Sequence, residues 1–243
     1  MPNESRRFVL KPGRSGPLLW SAPNEAAPPS TMHLSPALFA LHPPAAFRLA
    51  LRRALVEARH GVRFQDLWKL SVQLYVPSER LPGGASPMLR LMLRLFDWNC
   101  AAYKALLACG ISDAVAARLI HGANWQIIGP IARLIHWAAG LFSHDALDRV
   151  RIAYDAMFRL VFTQPFQRRV ILGGVDVRFH VTRCPFNELF DAHGVPGLTA
   201  QAACALDLDM AKEWNVSLSR SATIAGGQAI CEFCFSRHGS ALS

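Results

Sequence analysis

The chain has 243 residues, of which 51% are hydrophobic, and it carries a formal net charge of +9 at pH 7. This length and apolar content are enough for a buried core, which excludes an intrinsically disordered protein. The basic residues are scattered arginines, such as Arg52 and Arg53, without a basic run interleaved with aromatic residues. Nucleic-acid binding is therefore not expected.

Residues 1–35 are predicted to form a flexible arm, because they are rich in Pro, Ser, Asn and Gly and have no apolar periodicity. The arm contains SRRFVLK, which looks like a twin-arginine export motif, but no uninterrupted apolar stretch follows it. The later segment IIGPIARLIHWAAGLF is interrupted by Pro130, Arg133 and His136 and is too short to span a bilayer. We therefore predict a cytoplasmic protein that does not bind membranes.

Residues 36–164 are predicted to form a helical region, because their apolar residues recur at helical spacing. Separate helices are indicated by groups of leucines and isoleucines, and the stretch PSERLPGGASP is typical of a loop between two of them. The region is also the surface through which we expect any homo-oligomer to form.

Residues 165–243 are predicted to form a compact α+β unit. Apolar and polar residues alternate from Val170 to Thr182, which indicates strand, and the glycines at 173 and 174 indicate a hairpin or a bulge. FNELFDAH and TAQAACALDLDMAKEW are predicted helices, and VSLSRSATI and AICEFCF are predicted strands. The fold class is therefore α+β, with helical N-terminal two thirds packed on a C-terminal antiparallel sheet with short helices.

Cys184 lies in HVTRCPFNELF, where the predicted strand gives way to a helix. Pro185 would be the first helical residue, so Cys184 would be the N-cap, where free N–H groups and the helix dipole favour an anion. We therefore expect a stabilised thiolate that acts as a nucleophile, although a cysteine at this position can also simply pack as a small apolar residue. His180 is about 13 Å away along the strand, so a Cys–His dyad is not expected unless the chain folds back.

The six cysteines are irregularly spaced, which favours a reducing compartment over a disulfide framework. Cys231 and Cys234 form a CxxC, but residues three apart in a strand face opposite sides, so a shared zinc ion is not expected. Cys204 and Asp207 lie three apart in a predicted helix and therefore share a face.

Arg220 occupies the apolar row of VSLSRSATI, where a guanidinium group needs an anionic partner. The planar guanidinium group is suited to bidentate binding of a substrate carboxylate. The alternative is an ion pair within the protein, with Asp207, Asp209 or Glu188 as the partner.

The order of TRCPFNELF, CALD, SRSATI and GGQAICEFCF resembles the family of L-2-amino-thiazoline-4-carboxylic acid hydrolases over roughly the last third of the chain. The resemblance implies hydrolytic opening of a cyclic isothiourea, which gives N-carbamoyl-cysteine on a bacterial route to cysteine. Cys234 is extra, and the helical region has no counterpart. The positions that fall on the family pattern are Cys184, Glu188, Cys204, Asp207, Arg220 and Cys231.

The residues and the resemblance together predict a hydrolase that opens a C–N bond of a cyclic amidine or isothiourea in a small carboxylate-bearing substrate. Cys184 is the predicted nucleophile, Asp207 or Glu188 would move protons, and Arg220 would bind the carboxylate. The remaining predicted substrate-binding residues are Cys204, Cys231 and His180.

No cofactor is predicted, but two other functions stay open. One is a metal-dependent enzyme of a biosynthetic pathway, in which a metal-bound hydroxide is held by some of Cys184, Cys204, Asp207, Cys231 and His180. The other is a non-catalytic small-molecule-binding or sensor module, because the closing strand also looks like that of domains related to 4-vinyl reductases. In each case the expected partner is a small molecule.

Overall fold

The computed structural model describes residues 42–78 and 83–238. The predicted arm at 1–35 lies outside the described residues. Seven α-helices fall within the described ranges, and five of them precede the first strand. Their bounds are α1 Pro43–Glu57, α2 Phe64–Leu74, α3 Pro87–Ala108, α4 Asp113–Ala139, α5 Ala146–Leu160, α6 Pro185–Ala192 and α7 Ala205–Glu213.

Three of the helices begin at side chains that accept hydrogen bonds from free backbone N–H groups. His42 caps α1, Ser86 caps α3 by accepting from Leu89, and Asp145 caps α5. Such caps stabilise helix starts because the first N–H groups of a helix have no partner inside it. Pro130 lies inside α4, which continues through it to Ala139. Among the described helices none is long and apolar enough to cross a membrane.

The four strands form one antiparallel sheet in the order β1-β2-β4-β3. The glycines at 173 and 174 form the predicted hairpin between β1 and β2, with φ of +105° and +84°, values that favour glycine. The α+β fold class, with its helices first and its sheet last, is confirmed. The strand bounds are β1 Gln167–Ile171, β2 Val177–Arg183, β3 Val216–Ser219 and β4 Cys231–Arg237.

The predicted strand VSLSRSATI is only half formed. It leaves the sheet after Ser219, and the next residue, Arg220, donates hydrogen bonds to Asp207 on α7 and to the carbonyl oxygen of Cys204. The chain then makes a 3-10 turn at Ile224–Gly226, capped by the Thr223 side chain. The predicted helix from Thr199 begins instead as a π-helical turn, Thr199–Cys204, that leads into α7.

Both hydrophobic clusters contain side chains from the helical region and from the C-terminal unit. In the first cluster, the ring of Phe96 on α3 meets Phe186 edge-on at 4.7 Å and Phe190 at 5.3 Å. In the second, Tyr154 on α5 packs against Trp214 and against the aromatic face of the sheet. The domain boundary near residue 164 therefore stays a prediction, and the hydrophobic core contains residues from both sides of that position.

Replacing Phe190 by alanine tests this shared core. Its ring is fully buried, so we expect Phe190→Ala to lower the free energy of unfolding by about 3–5 kcal/mol. Urea unfolding followed by circular dichroism measures the change. Phe142→Ala is the matched control, because Phe142 is 78% exposed and should change stability by less than about 0.5 kcal/mol. Equal effects of the two variants would contradict the shared core.

Candidate functional site

A cavity of about 140 Å³ lies among α3, α4, α5, α7 and the core face of the sheet. Most of its lining is aromatic and aliphatic. A largely apolar cavity with a few convergent polar groups is typical of a small-molecule site. The polar lining residues are Tyr154, Cys184, Thr199, Cys204, Asp207 and Arg220.

Arg220 and Asp207 form a largely buried ion pair at this cavity. The Arg220 Nη1 lies 3.1 Å from Asp207 Oδ2, and Nη2 donates to the carbonyl oxygen of Cys204 at 2.8 Å. The guanidinium carbon also lies 5.4 Å from the ring centre of Phe233, within the range of a cation–π contact. Of the partners considered from the sequence, the structure therefore gives Arg220 the carboxylate of Asp207.

Asp207 has an unusual proton affinity. Burial raises its pKa to about 6, although the Arg220 guanidinium and a hydrogen bond from Tyr154 act in the opposite direction. The Tyr154 hydroxyl donates to Asp207 Oδ1 over 3.4 Å, and burial raises the pKa of Tyr154 well above its ordinary value. A carboxyl group with a pKa near 6 can both accept and give protons close to neutral pH.

Cys184 occupies the predicted position but not the predicted ionisation state. It is the N-cap of α6, and Pro185 is the first helical residue. Burial nevertheless raises the pKa of Cys184 to about 12, and the N–H groups of Asn187 and Phe186 offset this only in part. The prediction of a stabilised thiolate is wrong, because loss of water around a charged sulfur outweighs the first turn of a short helix.

Cys204 and Cys231 lie close to the same ion pair. Burial raises the pKa of both thiols, and the charges of Asp207 and Arg220 act on each. Cys204 lines the cavity. Cys231 is buried on β4, where its sulfur accepts a hydrogen bond from the N–H of Ile224 at 3.1 Å, and it is not part of the cavity lining.

Two of the predicted site residues lie away from the cavity. Glu188 is half exposed and makes two hydrogen bonds to Arg183, at 2.7 and 3.1 Å. His180 alternates with the buried residues of β2 and faces Glu232 across the strands at 3.9 Å. The structure therefore brings Cys184, Cys204, Asp207 and Arg220 to one cavity, whereas Glu188, His180 and Cys231 are not among its lining residues.

The predicted geometry of the CxxC pair is confirmed. Cys231 lies on the buried face of β4, whereas Cys234 alternates to the other face and points toward Asp176, with its sulfur 3.9 Å from a carboxylate oxygen. Within residues 42–78 and 83–238, no three His, Cys, Asp or Glu side chains are grouped as metal ligands.

Sequence reasoning missed Thr199 and Tyr154. The hydroxyl of Thr199 is buried, lines the cavity and has no hydrogen-bond partner among the described residues. The sequence shows Thr199 only as a helix cap, because a π-helical turn leaves no recognisable pattern, and such turns are frequent at functional sites. Tyr154 lies in an ordinary amphipathic helix, so nothing marks it before the fold is known.

Comparison with known protein families gives a match in the C-terminal part of the chain. Residues 153–235 match the family of L-2-amino-thiazoline-4-carboxylic acid hydrolases. The resemblance expected from the motifs is thereby confirmed over about a third of the chain. No curated protein and no solved structure matches.

The segment matched to the hydrolase family contains every polar residue of the cavity lining, from Tyr154 to Arg220. The lining residues outside the segment come from α3 and α4, and all of them are apolar. The matched part therefore supplies the cavity's chemically reactive groups, and the preceding helices supply much of its apolar wall.

Removal of the Arg220 charge should change the ionisation of Asp207. Because the guanidinium lowers the Asp207 pKa, we expect Arg220→Gln to raise it further above 6, and a carbon-detected NMR titration of the carboxyl groups measures this. The exposed pair of Arg151 and Asp148 offers a matched control, since Arg151→Gln should leave Asp207 unchanged. An Asp207 pKa near 4 in the unmodified protein would contradict the burial effect.

Cys184 should react slowly with alkylating agents. A thiol with a pKa of about 12 has little thiolate at neutral pH, so iodoacetamide should modify Cys184 at least about a hundredfold more slowly than an ordinary exposed thiol. Exposed Cys109 is the internal reference, and peptide mass spectrometry measures both rates at pH 7. Equal rates would show that the thiolate is stabilised after all.

Proposed function

We propose that this protein is a hydrolase that opens a cyclic amidine or isothiourea in a small carboxylate-bearing substrate similar to 2-amino-thiazoline-4-carboxylate. The observation that carries the proposal is the location of Cys184, Asp207 and Arg220 on one cavity, all within the segment that matches the hydrolase family. A sulfur nucleophile, a proton carrier and a cation are the groups that such a reaction needs.

The charges of the site complement those of such a substrate. An aminothiazoline acid carries a cationic amidine-type group and an anionic carboxylate, which can face Asp207 and Arg220 respectively. Arg220 uses two of its N–H groups on Asp207 and Cys204, and a guanidinium has five, so donors remain for a carboxylate. The two charges of such a substrate would pair with the two charges of the site. This pairing offsets the free-energy cost of moving the charged groups of the substrate into an apolar cavity.

The first chemical step follows from the protonation states. Cys184 enters as a neutral thiol, and the nearby carboxylate of Asp207, whose charge acts on it, takes the proton as the sulfur bonds to the ring carbon between nitrogen and sulfur. The ring C–S bond then breaks, and the leaving sulfur takes the proton from Asp207. The enzyme is left with an acyclic isothiourea on Cys184.

Water completes the reaction. Asp207 removes a proton from water as the water oxygen bonds to the carbon of the protonated isothiourea. Collapse of the adduct expels the Cys184 sulfur, which takes the proton from Asp207, and the new hydroxyl group loses its proton to solvent as it becomes the carbamoyl oxygen. The product keeps both nitrogens on the former ring carbon, as N-carbamoyl-cysteine does. Formation of this product therefore requires cleavage of the ring C–S bond, so the C–N cleavage expected from the sequence is replaced in this proposal.

A small-molecule-binding module is the second candidate. The mainly apolar lining of the cavity favours it, because such a surface can hold a ligand without any chemistry. It differs from the hydrolase in one measurable respect, since it requires binding without turnover.

Turnover of 2-amino-thiazoline-4-carboxylate, followed by mass spectrometry of the carbamoyl product, tests the hydrolase. We expect Cys184→Ala to reduce kcat/KM by at least about a thousandfold, because no nucleophile remains. Cys109→Ala is the control and should retain full activity. The acidic limb of the pH profile should lie near 6, the pKa of Asp207, with activity lost below it as the carboxylate is protonated. A fully active Cys184→Ala variant would exclude the covalent route.

A further inference from the structure

The cavity lining has two chemically different groups of residues. Asp207, Arg220 and the Cys204 carbonyl interact with one another and form the polar group. The residues from α3 and α4 are entirely apolar, and Ile128, Ile131 and Ile135 recur at helical spacing on α4. An unsubstituted aminothiazoline acid has only its ring sulfur and one methylene group to place against this apolar wall, so most of the wall would be left without an apolar partner.

We propose that the ligand of this cavity is a five-membered cyclic amidine or isothiourea acid that carries a small apolar group, and that the wall formed by α3 and α4 selects this group. The inference rests on the proposed function for the nature of the ring. Burial of each methyl-sized group stabilises a complex by about 0.8 kcal/mol, a factor of about four in affinity. In this proposal α3 and α4, which precede the segment matched to the family, select the ligand. The matched segment supplies the groups that react with it.

The size of the cavity limits the apolar group. Its volume of about 140 Å³ is close to the ~150 Å³ of an engineered apolar cavity that holds benzene. A five-membered ring with one or two methyl groups is close to this size when its amine and carboxylate lie at the polar groups of the site, whereas a long alkyl chain exceeds it.

Thr199 fixes the orientation of the ligand. Its hydroxyl is buried to 1% exposure and has no partner among the described residues, and an unpaired buried hydroxyl is costly. A ring amine or nitrogen that bonds to Thr199 removes this cost and turns the polar edge of the ring toward Asp207. The rest of the ring, with its apolar group, then contacts the apolar residues from α3 and α4.

Calorimetric binding to the Cys184→Ala variant tests the selection without turnover, with parallel turnover assays on the unmodified protein. The probes are 2-amino-thiazoline-4-carboxylate, its analogue with two methyl groups on the carbon next to sulfur, and an analogue with a hexyl group there. Two buried methyl groups should tighten binding about tenfold or more, and the hexyl analogue should bind more weakly than the dimethyl one. Equal or tighter binding of the unsubstituted acid, or no binding of either, would overturn the inference.

Variants of α4 test whether this helix causes the preference for the dimethyl analogue. Ile131→Asn should remove the preference for the dimethyl analogue, whereas Leu134→Asn, on the same helix but 56% exposed and outside the cavity lining, should retain it. Thr199→Val should weaken both ligands by a similar factor and leave their ratio unchanged. Retention of the full preference in Ile131→Asn would contradict the assignment of the wall. If Ile131→Asn does not fold, binding of the three ligands to the Cys184→Ala variant decides whether the cavity prefers the dimethyl analogue.

The outcomes separate this inference from the proposed hydrolase. Tighter binding of the dimethyl analogue without turnover of any ring acid would uphold the ligand class and refute the catalysis. Turnover of the unsubstituted acid with no preference for the dimethyl analogue would uphold the hydrolase and refute the ligand class.

Discussion

The buried ion pair between Arg220 and Asp207 is the constraint on which the rest of the site depends. A lone guanidinium inside this core would be costly, and so would a lone carboxylate. Their pairing holds the chain directly after β3 against α7 and the Cys204 carbonyl, while the guanidinium stays over the Phe233 ring of the sheet. Burial raises the pKa of Asp207 to about 6, and the Arg220 guanidinium limits the rise, so the pair also contributes to the proton affinity of the site.

Burial decides the chemistry of the cysteines in the same way. Cys184 has the helix N-terminus that favours a thiolate, yet the surrounding apolar side chains raise its pKa to about 12. A helix start offers at most about 2 kcal/mol to an anion, whereas desolvation of a buried charge costs more. A nucleophile in this environment must lose its proton to a neighbouring base at the moment of attack, which gives Asp207 its proposed part in the reaction.

The two segments of the chain contribute to one core and one cavity. Phe96 on α3, which precedes the matched segment, packs on the rings of α6 within it. The matched C-terminal segment therefore does not bury its apolar surface alone. Residues of α3 and α4 also line the cavity, so sequence changes in these helices would alter its apolar wall without changing its polar groups.

The sequence by itself determined the order of helices and strands, the hairpin at Gly173 and Gly174, the N-cap position of Cys184 and the family resemblance, because each depends on local periodicity, turn chemistry or motif order. Only the tertiary structure decided which carboxylate pairs with Arg220, that burial raises the pKa of Cys184, and that Thr199 lines the cavity. These depend on burial and on contacts between residues far apart in the chain. Local sequence patterns indicate neither burial nor long-range contacts, because the desolvation of a group depends on the residues packed around it in the folded interior.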